Sequence, residues 1–139
     1  MRALQDDLFE LVFERLDQPT ATALSRTLLG YEARLPTERD GVHEVSVESL
    51  VLRPGVALDD VHVRLLCYDE SVYDVELNFR LPEAKAPSND AFVAALHDFA
   101  SDLAEANGVA TYFAGLEPAS DESTRMFTGK EKGPYYGLS

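Results

Sequence analysis

The hydrophobic pattern of this chain is clearest from Val61 to Leu81, where the sequence reads VHVRLLCYDESVYDVELNFRL. Val61, Val63, Leu65 and Cys67 alternate with polar neighbours in the first arm, and Tyr73, Val75, Leu77, Phe79 and Leu81 in the second. Period-two alternation marks a strand with one buried face, so the stretch predicts a β-hairpin. Both apolar sets must reach the same core. That requirement pairs Cys67 with Tyr73, Leu65 with Val75 and Val63 with Leu77, and it sets Arg64 opposite Glu76 on the other face. A slip of one residue turns a whole apolar set to the wrong side. The expected turn therefore holds an odd number of residues, three or five, and a two-residue loop at Glu70-Ser71 is rejected.

The rest of the pattern reads in order around this hairpin. Leu4, Leu8, Leu11, Val12 and Leu16 recur at helical spacing, with Phe9 and Phe13 widening the stripe, which predicts a helix from Ala3 to Leu16. Asp17-Gln18-Pro19 breaks it. Ala21 to Leu29 reads as a second, short helix ending at Gly30, against the weak helix propensity of Thr20, Thr22 and Thr27. Val42 to Leu52 reads as a strand with Val45, Val47 and Val51 on one face, ended by Arg53-Pro54-Gly55. A connection containing Pro82 and Pro87 leads to a helix from Asn89 to Ala106, capped by Ser88 or Asn89 and stopped at Asn107-Gly108. Its core stripe is Phe92, Leu96, Phe99, Leu103 and Ala106. Val109 to Leu116 reads as a last strand.

The fold class expected is α+β: an antiparallel sheet of about four strands, a β-meander plus one C-terminal strand, with the N-terminal helix and the second long helix packed on one face. Its 139 residues read as a single domain, with 118–139 a largely irregular C-terminal segment.

Charge narrows the function classes. The net charge is −13. Nucleic-acid phosphates and anionic membranes repel such a chain, which argues against both as partners. A basic protein is the natural partner. Residues 108–139 carry four acids and three bases, so the excess acid lies on the body. From Ala86 to Asn107 there is no Lys or Arg, while Asp90, Asp98, Asp102 and Glu105 sit away from the helix's apolar stripe. Like charges four apart cost roughly 0.2–0.5 kcal/mol, and a helix that tolerates Asp98 beside Asp102 can be presenting an anionic face. The bland alternative is a solvated face of an acidic protein.

No motif claims a reaction. Nucleotide-binding glycine patterns and the nucleophile elbow are missing from the sequence. Asp40…His43 and Asp59…His62 share a D-x-x-H spacing, but in strands that offset points the two side chains to opposite faces, so no metal site is expected. Cys67 sits on the core parity beside acids, the opposite of the electropositive setting a nucleophilic thiolate needs. One cysteine excludes an internal disulfide and suits a cytoplasmic location. No apolar run approaches the roughly 18 residues of a membrane span, and no cofactor is implied.

The leading reading is a non-enzymatic acidic protein-binding domain, of the inhibitor or immunity type, neutralising a basic partner through Asp90, Asp98, Asp102 and Glu105. A second reading is a small enzyme or ligand-binding domain with a pocket using His62, Arg64 and Glu76 on the outer hairpin face; shifted pKa values there would favour it. A third is a homo-oligomer that buries Leu66, Tyr68 and Val72 of that face.

Overall fold

The computed structural model describes residues 7–80 and 84–137. Ala3, Leu4, Leu81 and Pro82, which enter the sequence reading, lie outside them. The elements are β1 (Leu8–Leu16), α1 (Gln18–Leu29), β2 (Val42–Arg53), β3 (Val56–Asp69), β4 (Val72–Arg80), β5 (Ala84–Lys85), α2 (Asn89–Asn107), β6 (Thr111–Leu116), β7 (Arg125–Thr128) and β8 (Glu131–Lys132). The strands form one antiparallel sheet in the order β2-β3-β4-β1-β6-β7-β8, and the two-residue β5 pairs with β3 at Ala57 and Leu58. The class is α+β, as expected, but an antiparallel sheet of seven strands in continuous order replaces the expected sheet of about four.

The main correction concerns the N-terminus. Within the segment expected to be a helix, Leu8–Leu16 is β1, hydrogen-bonded on one side to β4 and on the other to β6. Its residues are buried on both faces: Phe9, Leu11 and Phe13 point to the helices, while Val12 packs with Phe113 and Ala119 on the other side. A strand covered on both faces reads as a continuous apolar run, without alternation. A bulge then adds to the disguise. Pairing shifts between Phe13 and Leu16, Arg15 adopts a left-handed φ of 55°, and Leu16 turns inward where simple alternation would have placed Arg15. The inward set Phe9, Phe13, Leu16 thus acquires helical spacing from a strand.

The hairpin keeps the register that its pattern demanded. Cys67 faces Tyr73, Leu65 faces Val75, Val63 faces Leu77 and Arg64 faces Glu76. Its turn is different. Asp69 pairs with Val72 around a two-residue loop, Glu70-Ser71, and a register shift between Cys67 and Asp69 absorbs the parity conflict. Ser71 supplies the left-handed residue at φ 59°. A bulge solves what an odd loop length was expected to solve.

On β2 the inward face changes midway. Val47 packs against the core from one parity, but Leu50 and Leu52 from the other, which leaves Val51 63% exposed. The change occurs opposite Asp60, whose φ of 52° bends β3 at the same level.

Both helices lie on one face of the sheet. Ala21, Leu24 and Leu28 of α1 and Phe92, Val93, Leu96, Ala100 and Leu103 of α2 share a single core with β1, β3, β4 and β6. Asp17 caps α1 by accepting the Thr20 N–H at 2.8 Å, with Pro19 in the first turn, and Gly30 ends it at φ 84°. Among the described residues no helix is long and apolar enough to cross a membrane.

The other face of the sheet is roofed only in part. The segment after β6 folds back over Val12 and Phe113, and the Arg125 guanidinium lies 4.0 Å above the Phe113 ring. Gly115 permits this close approach: a Cβ there would stand 2.7 Å from the Thr124 carbonyl oxygen and 2.8 Å from Arg125 Cα. Gly115→Ala is therefore expected to cost about 1–3 kcal/mol by overpacking against backbone. Gly137, where a Cβ would meet nothing within 4 Å, provides the control. Urea denaturation should give a lowered midpoint for Gly115→Ala and an unchanged one for Gly137→Ala.

Candidate functional site

Two surfaces carry the residues that the sequence singled out, one on each side of the sheet. The first is α2. Ser88 caps it by accepting the Ala91 N–H at 3.0 Å, and Gly108 closes it at φ 67°. Phe92, Leu96 and Leu103 of the expected stripe are committed to the core, Phe99 is half-buried and Ala106 exposed, and Asp90, Asp98, Asp102 and Glu105 are all exposed. Asp98 and Asp102 stand at the rim of an open groove of about 540 Å³ between α2, the end of α1 and the end of β2. Leu52, Ala95, Phe99 and Leu103 give the groove an apolar lining. Asp90 and Glu105 lie on the helix outside it. Arg53, at the end of β2, reaches Asp98 at 3.6 Å, with both side chains exposed. An ion pair in that setting holds by at most about 1 kcal/mol.

On its opposite flank α2 secures the C-terminal segment. His97 is buried and stacks on Phe127 with ring centroids 4.2 Å apart. Its Nε2 meets the Gly129 carbonyl at 2.8 Å, so Nε2 carries the proton, and Nδ1 accepts from the Tyr136 hydroxyl at 3.4 Å. Burial, helped by the nearby Asp98 charge, pushes the Tyr136 hydroxyl pKa up.

The second surface is the open face of the sheet, where two cross-strand rows run side by side. One is Glu44–Arg64–Glu76–Val12, from β2 through β3 and β4 to β1. The next is Ser46–His62–Asn78–Glu10 on the same four strands. His62, Arg64 and Glu76 are thus brought onto one surface, as their parity implied. Arg64 donates to Glu76 at 3.2 Å and lies 3.6 Å from Glu44. Glu10 is 8% exposed and accepts the Ala119 N–H at 2.7 Å.

Burial sets the charge state of this face. Desolvation, then the Glu10 carboxylate, pushes Glu76 up to about 7, with Arg64 pulling the other way. Glu10 is raised as well, by desolvation first, against the Ala119 N–H that lowers it. Sequence alone missed Glu10 and Asn78, because both join the face only through β1 and β4 pairing. Leu66 and Val72 are half-buried and Tyr68 is 54% exposed.

The two D-x-x-H pairs come to different ends. Asp59 pairs with Lys85 at 2.8 Å and His43 donates from Nδ1 to the Arg34 carbonyl at 2.8 Å. Among the described residues no group of three or more His, Cys, Asp or Glu is placed to hold a metal ion. Cys67 is 3% exposed, in the core.

Comparison with known proteins finds likeness of two kinds. The family model described as PABL017 Cdi1I immunity protein matches residues 28–132. One solved structure is similar over 92% of this chain and 97% of its own, with a TM-score of 0.74 and 23% identity: a chain of the crystal structure of the toxic C-terminal tip of CdiA from Pseudomonas aeruginosa in complex with immune protein. At that identity the likeness concerns the fold. No curated protein matches.

The Glu76 shift has a measurable consequence. Its folded pKa lies above its unfolded value of 4.5, so between pH 4.5 and about 7 the folded state holds the extra proton. Stability then falls as pH rises through that window, by at most about 3 kcal/mol from this group. Glu76→Gln keeps the acceptor for Arg64 and removes the titration. Urea midpoints at pH 5 and pH 8 should differ markedly less for this variant than for the parent.

Proposed function

The chain belongs to the PABL017 Cdi1I immunity protein family and is an immunity-type protein, and we propose that it neutralises a basic protein toxin by docking it on the acidic face of α2. Family membership is the observation that carries this reading. The fold it shares with a chain crystallised with the toxic C-terminal tip of CdiA points the same way.

Charge supports the basic character of the partner. A net charge of −13 attracts a cationic protein at long range and speeds its encounter in a salt-sensitive way. The α2 groove supports the contact itself. Exposed carboxylates at Asp98 and Asp102 border an apolar lining, and Asp90 and Glu105 extend the negative surface along the helix. Apolar contacts that exclude water around a Lys or Arg make its pairing with an aspartate count for more than it would in solvent. The Arg53–Asp98 pair is weak enough for an incoming cation to displace. On this reading the protein acts by occlusion, without catalysis or cofactor. A cytoplasmic site of action is in keeping with its single, unpaired, buried Cys67.

Co-expression with the matching toxic C-terminal domain of a CdiA protein tests the proposal. The parent chain is expected to restore growth of the producing cells and to form a stoichiometric complex. Asp98→Lys with Asp102→Lys should slow association at least about tenfold in stopped-flow mixing and flatten its salt dependence. Unchanged kinetics in the double variant would remove α2 as the docking surface, and a parent that protects against no such domain would remove the toxin reading.

A further inference from the structure

The open face of the sheet contains a second recognition feature that the α2 surface does not explain. Asn78 is only 6% exposed, yet among the described residues its side-chain amide has no hydrogen-bond partner. No buried side-chain nitrogen or oxygen there is both sealed from solvent and unpartnered, so the Asn78 amide meets solvent through the opening it lines. An amide set so deep, with no partner among the described residues, is left to bond whatever enters that opening. Asn78 lines an open groove of about 370 Å³. Glu44 and His62 line it on the β2 and β3 side, and Glu117 on the β1 and β6 side. Arg64 and Arg80 complete the polar lining, and the size falls within the range of small-ligand sites.

We propose that this groove is a binding site for a guanidinium group, which donates to the Asn78 amide oxygen and pairs with Glu44 and Glu117. The charges present select a cation. Both arginines of the lining are already engaged, Arg64 between Glu44 and Glu76 and Arg80 with a partner of its own, whereas Glu117 has no cationic partner among the described residues. The local field at Glu76 agrees: Glu10, Asp74 and Glu117 raise its pKa and only Arg64 lowers it. The arrangement selects a planar group with several donors over a compact ammonium, since one neutral amide oxygen and two carboxylates, spread over β2, β4 and the end of β6, are to be met together. The site lies across the sheet from α2 and does not depend on the docking surface proposed there. An arginine side chain of a partner protein and free arginine offer the same head group.

Side-chain amide resonances of ¹⁵N-labelled protein report on the site directly. Titration with N-acetyl-L-arginine amide at constant ionic strength should shift the Asn78 NH₂ signals saturably, with N-acetyl-L-lysine amide binding at least severalfold more weakly. Glu44→Gln, an exposed substitution, should weaken binding several-fold, and Asn78→Leu should abolish it while leaving the backbone spectrum dispersed. If Asn78→Leu does not fold, Glu44→Gln decides. Free L-arginine forms the second arm: tighter binding than the capped amide identifies a small-molecule ligand, equal or weaker binding a protein side chain. The absence of saturable Asn78 shifts with either probe, or binding unaltered by both substitutions, would overturn the proposal.

Discussion

The structure depends on β1 being hydrogen-bonded along both edges. It joins the β2-β3-β4 meander on one side to β6, β7 and β8 on the other, so that one sheet spans segments from both ends of the chain. Its inward residues Phe9, Leu11 and Phe13 share one core with both helices, and its outward residues Glu10 and Val12 anchor the segment after β6. The Phe9 ring stacks on Phe79 at 5.9 Å and Phe13 on Tyr112 at 6.2 Å, tying the strand to its neighbour on each side. Without β1, the meander and the C-terminal strands would expose two unpaired edges.

This central position also explains where the sequence was readable. The hairpin register was legible because β3 and β4 have one wet and one dry face, and parity then allows only one pairing. Helix α2 was legible because its ends carry strong signals, Ser88 and Gly108, around a clean stripe. β1 was not, because a strand dry on both faces loses its alternation, and its bulge at Arg15 converts period two into helical spacing. The loop at Glu70-Ser71 was misjudged for a related reason: bulges change parity without leaving a pattern in the sequence. Of the candidate sites, His62, Arg64 and Glu76 could be placed together from parity within the hairpin. Glu10 and Asn78 could not be added, since that needs the pairing of β1 with β4, a contact distant in sequence.

The two faces of the sheet put the same excess of acid to different physical use. On α2 the carboxylates are exposed, screened by salt and suited to attracting a cationic protein from a distance. On the open face Glu10 is buried and Glu76 half-buried beside Arg64, and desolvation raises the pKa of both, Glu76 to about 7. The first arrangement favours rate, the second selectivity, because a buried carboxylate rewards only a cation that reaches it with matching geometry.

Hydrogen–deuterium exchange on the complex with the matching CdiA toxic domain tests the central claim most directly. Slowed exchange over residues 89–107 and at the end of β2 near Leu52 and Arg53, with little change in β3 and β4, is the predicted footprint. A stable complex that leaves α2 and the end of β2 unprotected would contradict docking on the acidic helix.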